Sequence, residues 1–270
     1  MSGHLQTIRN LYCRLHFCWG GQNWWPAREL WELVLGAILT QNTAWSNVER
    51  ALESLRRAGR LSVEECAALS EEELAELIHS SGCYRMKARR VKEFLAFLAR
   101  EHRLSLESLF ALPTPELRAK LLQQKGIGPE TADSMLLYGG QRELFVVDAY
   151  ARRIFSRHDL CSANEEYEAL RLTVEKALDK DFDPEEEAAA GSKRKKIPFV
   201  PLDPPPATHR PSPMSMAPRS PKANRFNEFH ALLVQAGKHY CRKSAPLCER
   251  CPLCEFLPKN KPAAFRPPAK

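Results

Sequence analysis

The sequence predicts an all-α protein, because apolar residues recur at helical spacing along most of its length. Serine, threonine and glycine signals divide that pattern into many short helices. The only strand-like run, ELFVVD at residues 143–148, is too short to imply a sheet. With 44% hydrophobic residues among 270, the chain can bury a substantial core in one large or two medium domains.

Five helices can be placed before residue 125 from their caps and apolar faces. The expected N-caps are Ser46, Ser70 and Thr114, the first two in capping boxes with Glu49 and Glu73. The apolar faces are marked by Leu30, Leu33, Val34, Ala37 and Ile38, by Val48, Leu52 and Leu55, and by Val91, Phe94, Leu95 and Leu98. The last of these helices leads into a short turn that contains two glycines.

Residues 183–224 differ from the rest of the chain. They are rich in proline, serine and charge, and they have almost no apolar periodicity. Such a segment cannot bury enough apolar surface to order itself, so a disordered insertion between two helices is predicted. The basic run at residues 193–196 could contact phosphates or act as a nuclear address, although a solvated charge run explains it equally well.

The net charge of +7 and the pI near 9.0 favour an anionic partner, nucleic acid before membrane. No apolar stretch reaches the length of a membrane span, and the first ten residues lack the apolar core of a signal peptide. We therefore expect a protein of the cytoplasm, associated with the nucleoid, or of the nucleus in a eukaryote. In such a reducing compartment the nine cysteines are not expected to form disulfides.

The turn KGIGPE, residues 125–130, joins two apolar helical patterns. Gly126 and Gly128 can take positive φ at little cost, and their missing side chains let another backbone come close. Pro129 suits the first turn of the following helix, whose N–H groups point outward and can bind a phosphate. A plain helix–helix turn is the alternative.

Asp148 stands where the apolar run FVV meets a new helical pattern. Its structural role would be an N-cap that accepts a hydrogen bond from the amide of Tyr150 or Ala151. A helix N-terminus also stabilises an ionised carboxylate. An ionised carboxylate is what a sugar oxocarbenium ion requires opposite it, so Asp148 is the candidate catalytic residue.

GIGPETA followed, after a spacer, by VVDAY resembles the helix-hairpin-helix–Gly/Pro–Asp superfamily of DNA glycosylases, in particular its endonuclease III-like branch. The resemblance runs from about residue 25 to 254, outside the insertion. It implies a two-lobed helical fold with a cleft across which DNA bends, a hairpin that grips the DNA backbone, and a catalytic role for Asp148.

Further motifs carry the same resemblance. LTQNT at 39–43 matches a segment whose glutamine, here Gln41, fills the hole left by a flipped nucleotide. GCYRMKA at 82–88 matches a loop that wedges between bases, where Cys83 is smaller than the usual apolar wedge. The residues that the resemblance places at the DNA are Gln41, Cys83, Tyr84, Lys87, Lys125, Gly126, Ile127 and Gly128.

Glu130 occupies the position at which bifunctional members of the family carry a lysine. That lysine attacks the sugar and forms a Schiff base, which a glutamate cannot do. The expectation is a monofunctional glycosylase that uses water as the nucleophile. Lys120 and Lys125 lie on the other side of the turn in sequence and are poor substitutes.

WWPA at 24–27 and Trp45 resemble the 3-methyladenine glycosylases of this superfamily, which sandwich the flipped base between aromatic side chains. An N-alkylated purine is cationic, so it is attracted to aromatic faces, and it is already a good leaving group. Trp25, Pro26 and Trp45 are the expected pocket walls, with Glu130 nearby. Ordinary core packing is the alternative for each tryptophan.

Four cysteines lie within residues 241–254 in the spacing C-x6-C-x2-C-x2-C. Four thiols so close together favour Zn²⁺ or an iron–sulfur cluster over disulfides. The endonuclease III family carries C-x6-C-x2-C-x5-C around a 4Fe–4S cluster, and only the last gap differs here. Cys241, Cys248, Cys251 and Cys254 are therefore the expected cluster ligands, with Zn²⁺ as the alternative.

These observations predict one lobe at residues 26–137, ending in the hairpin, and a second formed by residues 1–25 with 138–257. The expected activity is hydrolysis of the N-glycosidic bond of a damaged base, most simply an alkylated purine, in double-stranded DNA by a monomer. Two alternatives remain open: a bifunctional glycosylase and lyase that acts on oxidised pyrimidines, and a non-catalytic DNA-binding module with a zinc knuckle.

Overall fold

A computed structural model describes residues 3–185, 187 and 209–258. The principal helices in chain order are α1 (Gly3–Trp19), α2 (Leu30–Leu39), α3 (Trp45–Arg57), α4 (Val63–Ala68), α5 (Glu71–Leu77), α6 (Tyr84–His102), α7 (Leu106–Phe110), α8 (Thr114–Leu122), α9 (Pro129–Ser134), α10 (Ala149–Arg157), α11 (Tyr167–Ala177) and α12 (Pro221–His239). No β-strand occurs in the described part of the chain, and the all-α prediction is confirmed. None of these helices is both long and apolar enough to cross a bilayer.

The chain divides into two compact units. The hairpin unit contains Trp25–Arg142 and Ser212–Ala217, and the cysteine unit contains Met1–Trp24, Glu143–Pro211 and Pro218–Lys270. The observed units differ from the predicted lobes mainly in the segment Ser212–Ala217. This short segment lies about seventy residues after Arg142 in the sequence, yet it packs in the same compact unit as Trp25–Arg142.

The prediction of disorder over residues 183–224 is wrong for its C-terminal part. Helix α12 begins at Pro221, and the Ser220 hydroxyl caps it by accepting the Ala223 N–H at 3.1 Å. Serine followed by proline is a strong helix start, and the proline content of the segment concealed it. Residues 186 and 188–208, including the basic run at 193–196, lie outside the described residues.

The hairpin unit is built around α2, whose residues are almost all buried. Helices α6 and α9 pack against it, and α9 continues into a π-helical turn at Met135–Gly139. Gly139 is needed there, because an added Cβ would lie 2.8 Å from the Leu30 side chain. The capping box predicted at Ser70 is confirmed, whereas the one at Ser46 is wrong because α3 begins one residue earlier.

The cysteine unit is built around α12, which packs against α1 and α10. Aromatic side chains fill this core, with Phe145 and Phe155 both in contact with Phe229. Gly237 lets α10 approach closely, since a Cβ at that position would collide with the Tyr150 ring. The run Leu144–Val147, which resembled a strand in the sequence, is an extended and buried segment that leads into α10.

Candidate functional site

The turn between α8 and α9 has the predicted helix–hairpin–helix form, but its two glycines do different things. Gly126 has φ +82°, and a Cβ there would collide with the Arg90 guanidinium. Gly128 has φ −89°, and nothing lies within 4 Å of the position that its Cβ would take. The expectation of positive φ therefore holds for Gly126 alone. The fold requires glycine at 126, whereas at 128 the missing side chain only leaves space in front of α9.

A buried ion pair closes the base of this hairpin. Arg118 on α8 donates two hydrogen bonds to Asp133 on α9, at 2.7 and 3.1 Å. The Asp133 side chain is 0% exposed. Bidentate geometry of this kind fixes both the distance and the orientation of the two helices.

Gln41 lies behind the turn and is held by three hydrogen bonds. Its Nε2 donates to the Gly126 carbonyl at 2.8 Å and to the Thr131 hydroxyl at 3.1 Å. Its Oε1 accepts a hydrogen bond from Arg90 Nη1 at 2.6 Å. The residue expected to enter the duplex thus joins α6, the hairpin turn and α9 in the free protein.

The loop before α6 contains Cys83, which is exposed and has a left-handed φ of 39°. Tyr84 is half-buried and its ring centroid lies 4.6 Å from that of His79. Lys125, on the turn itself, keeps 74% of its side chain exposed. Cys83 and Lys125 are therefore accessible to a ligand, and Tyr84 is partly so.

Lys87 has a different place from the predicted one. It is 2% exposed, and its ammonium donates to the carbonyls of Leu39 at 2.8 Å and Ser81 at 2.6 Å. Burial lowers the pKa of this lysine. The expectation that Lys87 contacts DNA is therefore corrected: the side chain ties the end of α2 to the loop that carries Cys83.

The two tryptophans expected to form opposite pocket walls meet edge to face. The ring centroids of Trp25 and Trp45 are 5.0 Å apart and the ring planes are inclined by 85°. A flat base between two parallel rings would need about 7 Å, two van der Waals separations of about 3.5 Å. The pair thus forms an aromatic corner rather than the expected sandwich.

Trp25 is the inner member of this corner. It is buried against Tyr138, whose ring centroid lies 5.2 Å away, while Trp45 and Pro26 are half-buried. Gly36 makes room for both indoles, since a Cβ there would lie 3.3 Å from Trp45 and 3.6 Å from Trp25. Glu130 is exposed on the first turn of α9.

Asp148 is the N-cap of α10, as predicted. Its Oδ1 accepts the Ala151 N–H at 2.7 Å. Its Oδ2 lies 3.6 Å from Nε2 of His230 on α12, and the carboxylate is 13% exposed. One oxygen is thus committed to the helix, and the other faces a buried imidazole.

The four C-terminal cysteines line one pocket, together with Arg157, His158 and apolar residues. Arg157 donates to Cys241 Sγ at 3.1 Å. Burial raises the pKa of the Cys248 thiol to about 11, with the neighbouring Cys241 adding to the effect. Burial likewise raises the pKa of Cys251 and of Cys254. In the described part of the chain, no group of three or more His, Cys, Asp or Glu side chains is arranged to hold a metal ion.

Three features were missed from the sequence: the Arg118–Asp133 pair, Arg90, and His230 beside Asp148. Asp133 stands beside Ala132, Met135 and Leu136, which form an apolar helical pattern, and this was a usable signal because a buried carboxylate needs a partner. His230 also stands in an apolar helix, but the contact spans more than eighty residues and leaves no local pattern.

The sequence matches known DNA repair proteins. The family model described as HhH-GPD superfamily base excision DNA repair protein matches residues 35–180. The MJ1434 protein of Methanocaldococcus jannaschii, named as a DNA repair glycosylase, is 36% identical over 252 residues, which cover 93% of this chain and 96% of that protein. Endonuclease III of Thermotoga maritima is 25% identical over 83% of this chain and 82% of its own length.

Solved structures agree as well. The H. pylori 3-methyladenine DNA glycosylase, bound to 1,N6-ethenoadenine, matches with a TM-score of 0.63 and 26% identity, over 86% of this chain and 97% of that one. A non-covalent endonuclease III–DNA complex matches in fold with a TM-score of 0.58 and 19% identity, over 86% of this chain and 84% of that one. The chain therefore belongs to the HhH-GPD superfamily, the DNA glycosylases of base excision repair.

Proposed function

We propose that this protein is a monofunctional DNA glycosylase that hydrolyses the N-glycosidic bond of an alkylated purine. The observation that carries the proposal is the combination of an N-capping Asp148 with a glutamate, rather than a lysine, at position 130. The 26% identity with a 3-methyladenine DNA glycosylase supports the substrate class.

The hairpin is proposed to hold the DNA backbone. The first turn of α9 offers N–H groups and the positive end of the helix dipole. The open space in front of Gly128 allows a phosphate to approach these groups. Lys125 adds an exposed positive charge beside them. Contacts of this type position a duplex without reading its sequence.

Asp148 is proposed to stabilise the positive charge that develops on the sugar as the bond breaks. Since Oδ1 accepts the Ala151 N–H, Oδ2 is the oxygen left for the reaction. The buried His230 imidazole beside Oδ2 helps to keep the carboxylate in one orientation. A carboxylate held in this way can also accept a proton from an attacking water.

The aromatic corner is proposed to bind the extruded base. Trp45 is the more accessible indole, so a base would stack on its face while Trp25 supports it from behind. A cationic alkylated purine gains cation–π attraction at such a surface. It also leaves without protonation, which fits a site that offers one carboxylate for the chemistry.

Glu130 supports a reaction without a covalent intermediate. An imine with the sugar requires an amine, and the position that carries it in bifunctional relatives is here an exposed carboxylate. The expected product is an intact abasic site, because no Schiff base forms to promote strand cleavage.

The cysteine pocket is proposed to hold a 4Fe–4S cluster through Cys241, Cys248, Cys251 and Cys254. The donor set fits, since all four thiols line one pocket and thiolates are the ligands of such clusters. When bound, the cluster would supply a structural cross-link, and Arg157 would hold Cys241 in place.

The proposal is tested with duplexes that each carry one lesion: 3-methyladenine, 1,N6-ethenoadenine, an oxidised pyrimidine, or none. Release of an alkylated purine, with strand cleavage only after alkali, supports the assignment. Asp148→Asn should lower base release by about 10²- to 10³-fold, while Asp159→Asn, an exposed acid near the other end of α10, should act like the wild type.

Covalent trapping by borohydride on abasic DNA, lost on a single lysine substitution, would instead establish a lyase. Release of oxidised pyrimidines alone would overturn the substrate class. Duplex binding without release of any base would leave only a DNA-binding module.

A further inference from the structure

The segment Ser212–Ala217 lies directly against the tryptophan loop. The Ser212 hydroxyl donates to the Trp25 carbonyl at 3.0 Å, and the Met214 N–H donates to the Ala27 carbonyl at 3.2 Å. Both acceptors flank Pro26, so the two hydrogen bonds bracket the stretch that carries the inner wall of the aromatic corner. Ser212–Ala217 and the part of the loop from Trp25 to Ala27 belong to the same compact unit.

Hydrogen bonds within the segment fold it into a turn. The Ser212 N–H donates to Ser215 Oγ at 2.8 Å, and the Ser215 N–H donates back to Ser212 Oγ at 3.2 Å. The Met216 N–H closes the turn on the Ser212 carbonyl at 3.0 Å. These bonds orient the Ser212 hydroxyl toward Trp25 before any DNA is bound.

Within Trp25–Ala27, the Ala27 N–H donates to the Trp25 carbonyl at 3.0 Å. Residues 20–27 have no regular secondary structure, and Pro26 has no N–H to donate. Buried backbone carbonyls need donors, and here Ser212 and Met214 add two donors from a segment almost two hundred residues away in sequence. The position of the Trp25 backbone therefore depends in part on Ser212–Ala217.

We propose that Ser212–Ala217 is a specificity-determining element, which positions the Trp25–Ala27 wall for base recognition through the Ser212 hydroxyl and the Met214 amide. This inference rests on the proposed role of the aromatic corner in holding the extruded base. Ser212 is a positioning residue, because it acts through Trp25 and does not touch the base.

Three variants test the inference. Ser212→Ala removes the bond to Trp25, and Ser212→Thr retains a hydroxyl. Met216→Ala is the matched control, since Met216 lies in the same segment and is 62% exposed. Each variant is assayed for single-turnover base release, for affinity toward a duplex with an abasic-site analogue, and for hydrogen exchange in peptides that cover residues 24–29 and 212–217.

Ser212→Ala should speed exchange in both peptides and slow base release about three- to tenfold, the loss expected from one hydrogen bond. Affinity for the abasic duplex should stay within about twofold, because that ligand has no base to place in the corner. Ser212→Thr should recover most of the rate, and Met216→Ala should match the wild type throughout.

Unchanged exchange and rate in Ser212→Ala would overturn the inference. So would an equal loss of base release and abasic-duplex affinity, because it would indicate general damage to the fold. If the wild type releases a base other than an alkylated purine, the substrate proposal fails and the same variants are compared on that base. If it releases no base, the proposed function fails, and a positioning segment is rejected unless Ser212→Ala raises exchange in both peptides.

Discussion

The hairpin and the cysteine loop at Cys241–Cys254 are both short segments, yet they are held in opposite ways. Around the hairpin, backbone bonds at Gln124, Ile127 and Ala132 combine with a buried ion pair beneath the turn. The cysteine loop has two short 3₁₀ turns, and four of the six residues that follow Tyr240, residues 242–245, are exposed. The hairpin is completed by the chain's own side chains, whereas the loop converges on a pocket lined by thiols. The difference teaches that the hairpin is held by side chains and backbone of the chain itself, whereas the fold of the cysteine loop is proposed to depend on a group that its thiols would bind.

The largest expected effect is loss of the iron–sulfur cluster proposed for the four cysteines. Cys251→Ser should abolish the broad visible absorption of an iron–sulfur protein and the bound iron. Unfolding of the cysteine unit should become easier by several kcal/mol, since structural metal sites contribute on the order of 10 kcal/mol. Absorption spectra, iron analysis and thermal unfolding provide the measurements.

Cys83→Ser is the control for that experiment, because Cys83 is exposed and lies in the hairpin unit. It should leave absorption, iron content and Tm unchanged. A Cys251→Ser protein that keeps its iron, or a wild type that contains zinc and no iron, contradicts the cluster assignment.

The second-largest effect is expected from loss of the Arg118–Asp133 ion pair, which joins the two helices of the hairpin. Asp133→Ala leaves the Arg118 guanidinium partly buried without its carboxylate, and it should lower the free energy of unfolding by about 3–5 kcal/mol. Replacing both residues by leucine should recover much of that loss. Urea unfolding of the single and double variants measures the difference.

The matched control is Glu53→Gln. This substitution breaks the surface ion pairs that Glu53 makes with Arg56 and Arg57 on the same helix, α3. Exposed pairs contribute about 0–1 kcal/mol, so this variant should unfold close to the wild type. An Asp133→Ala protein as stable as Glu53→Gln would show that the pair does not hold the hairpin.

A smaller effect separates the two glycines. Gly126→Ala should cost about 1–3 kcal/mol, because it combines a strained φ with a collision against Arg90. Gly128→Ala should leave stability within about 0.5 kcal/mol, as expected for an open position, and should weaken DNA binding. Urea unfolding and duplex titration of both variants give the comparison. Equal losses of stability would contradict the separate roles.

The smallest effect concerns His209, whose ring centroid lies 5.0 Å from that of Trp24 in the cysteine unit. Burial, assisted by the charge of Lys238, lowers the pKa of His209 from 6.5 to about 4. The unfolded chain therefore binds this proton first, and stability should fall as the pH drops from about 6.5 to about 4. His209→Gln should make the free energy of unfolding, followed by tryptophan fluorescence, depend less steeply on pH over this range. An equally steep dependence would contradict the role given to His209.

Sequence reasoning succeeded where the relevant chemistry is local in the chain. The N-cap role of Asp148 and the capping box at Ser70 follow from residues within one helical turn, and both occur in the structure. Lys87 was misplaced because a motif shows which residues recur and not which way a side chain points. The buried ammonium satisfies two carbonyls that no local pattern reveals.

The other errors have the same physical origin. Trp25 and Trp45 were expected to sandwich the extruded base, whereas their rings meet at 85° beside Gly36, an angle that tertiary packing decides. Ser212 was assigned to disorder because composition reports how much apolar surface a segment can bury. Composition says nothing about two hydrogen bonds to a distant loop.

If Gln41 enters the duplex as the family resemblance implies, its three hydrogen bonds carry a cost for the search along DNA. A side chain that leaves Arg90, Gly126 and Thr131 gives up about 0.5–1.5 kcal/mol net for each bond. An intact base pair leaves no gap in the duplex where the glutamine could form new contacts. A weakened base pair opens such a gap at a lower free-energy cost. The resting contacts would thus act as a threshold, which keeps the glutamine withdrawn at sound base pairs and releases it where the helix already yields.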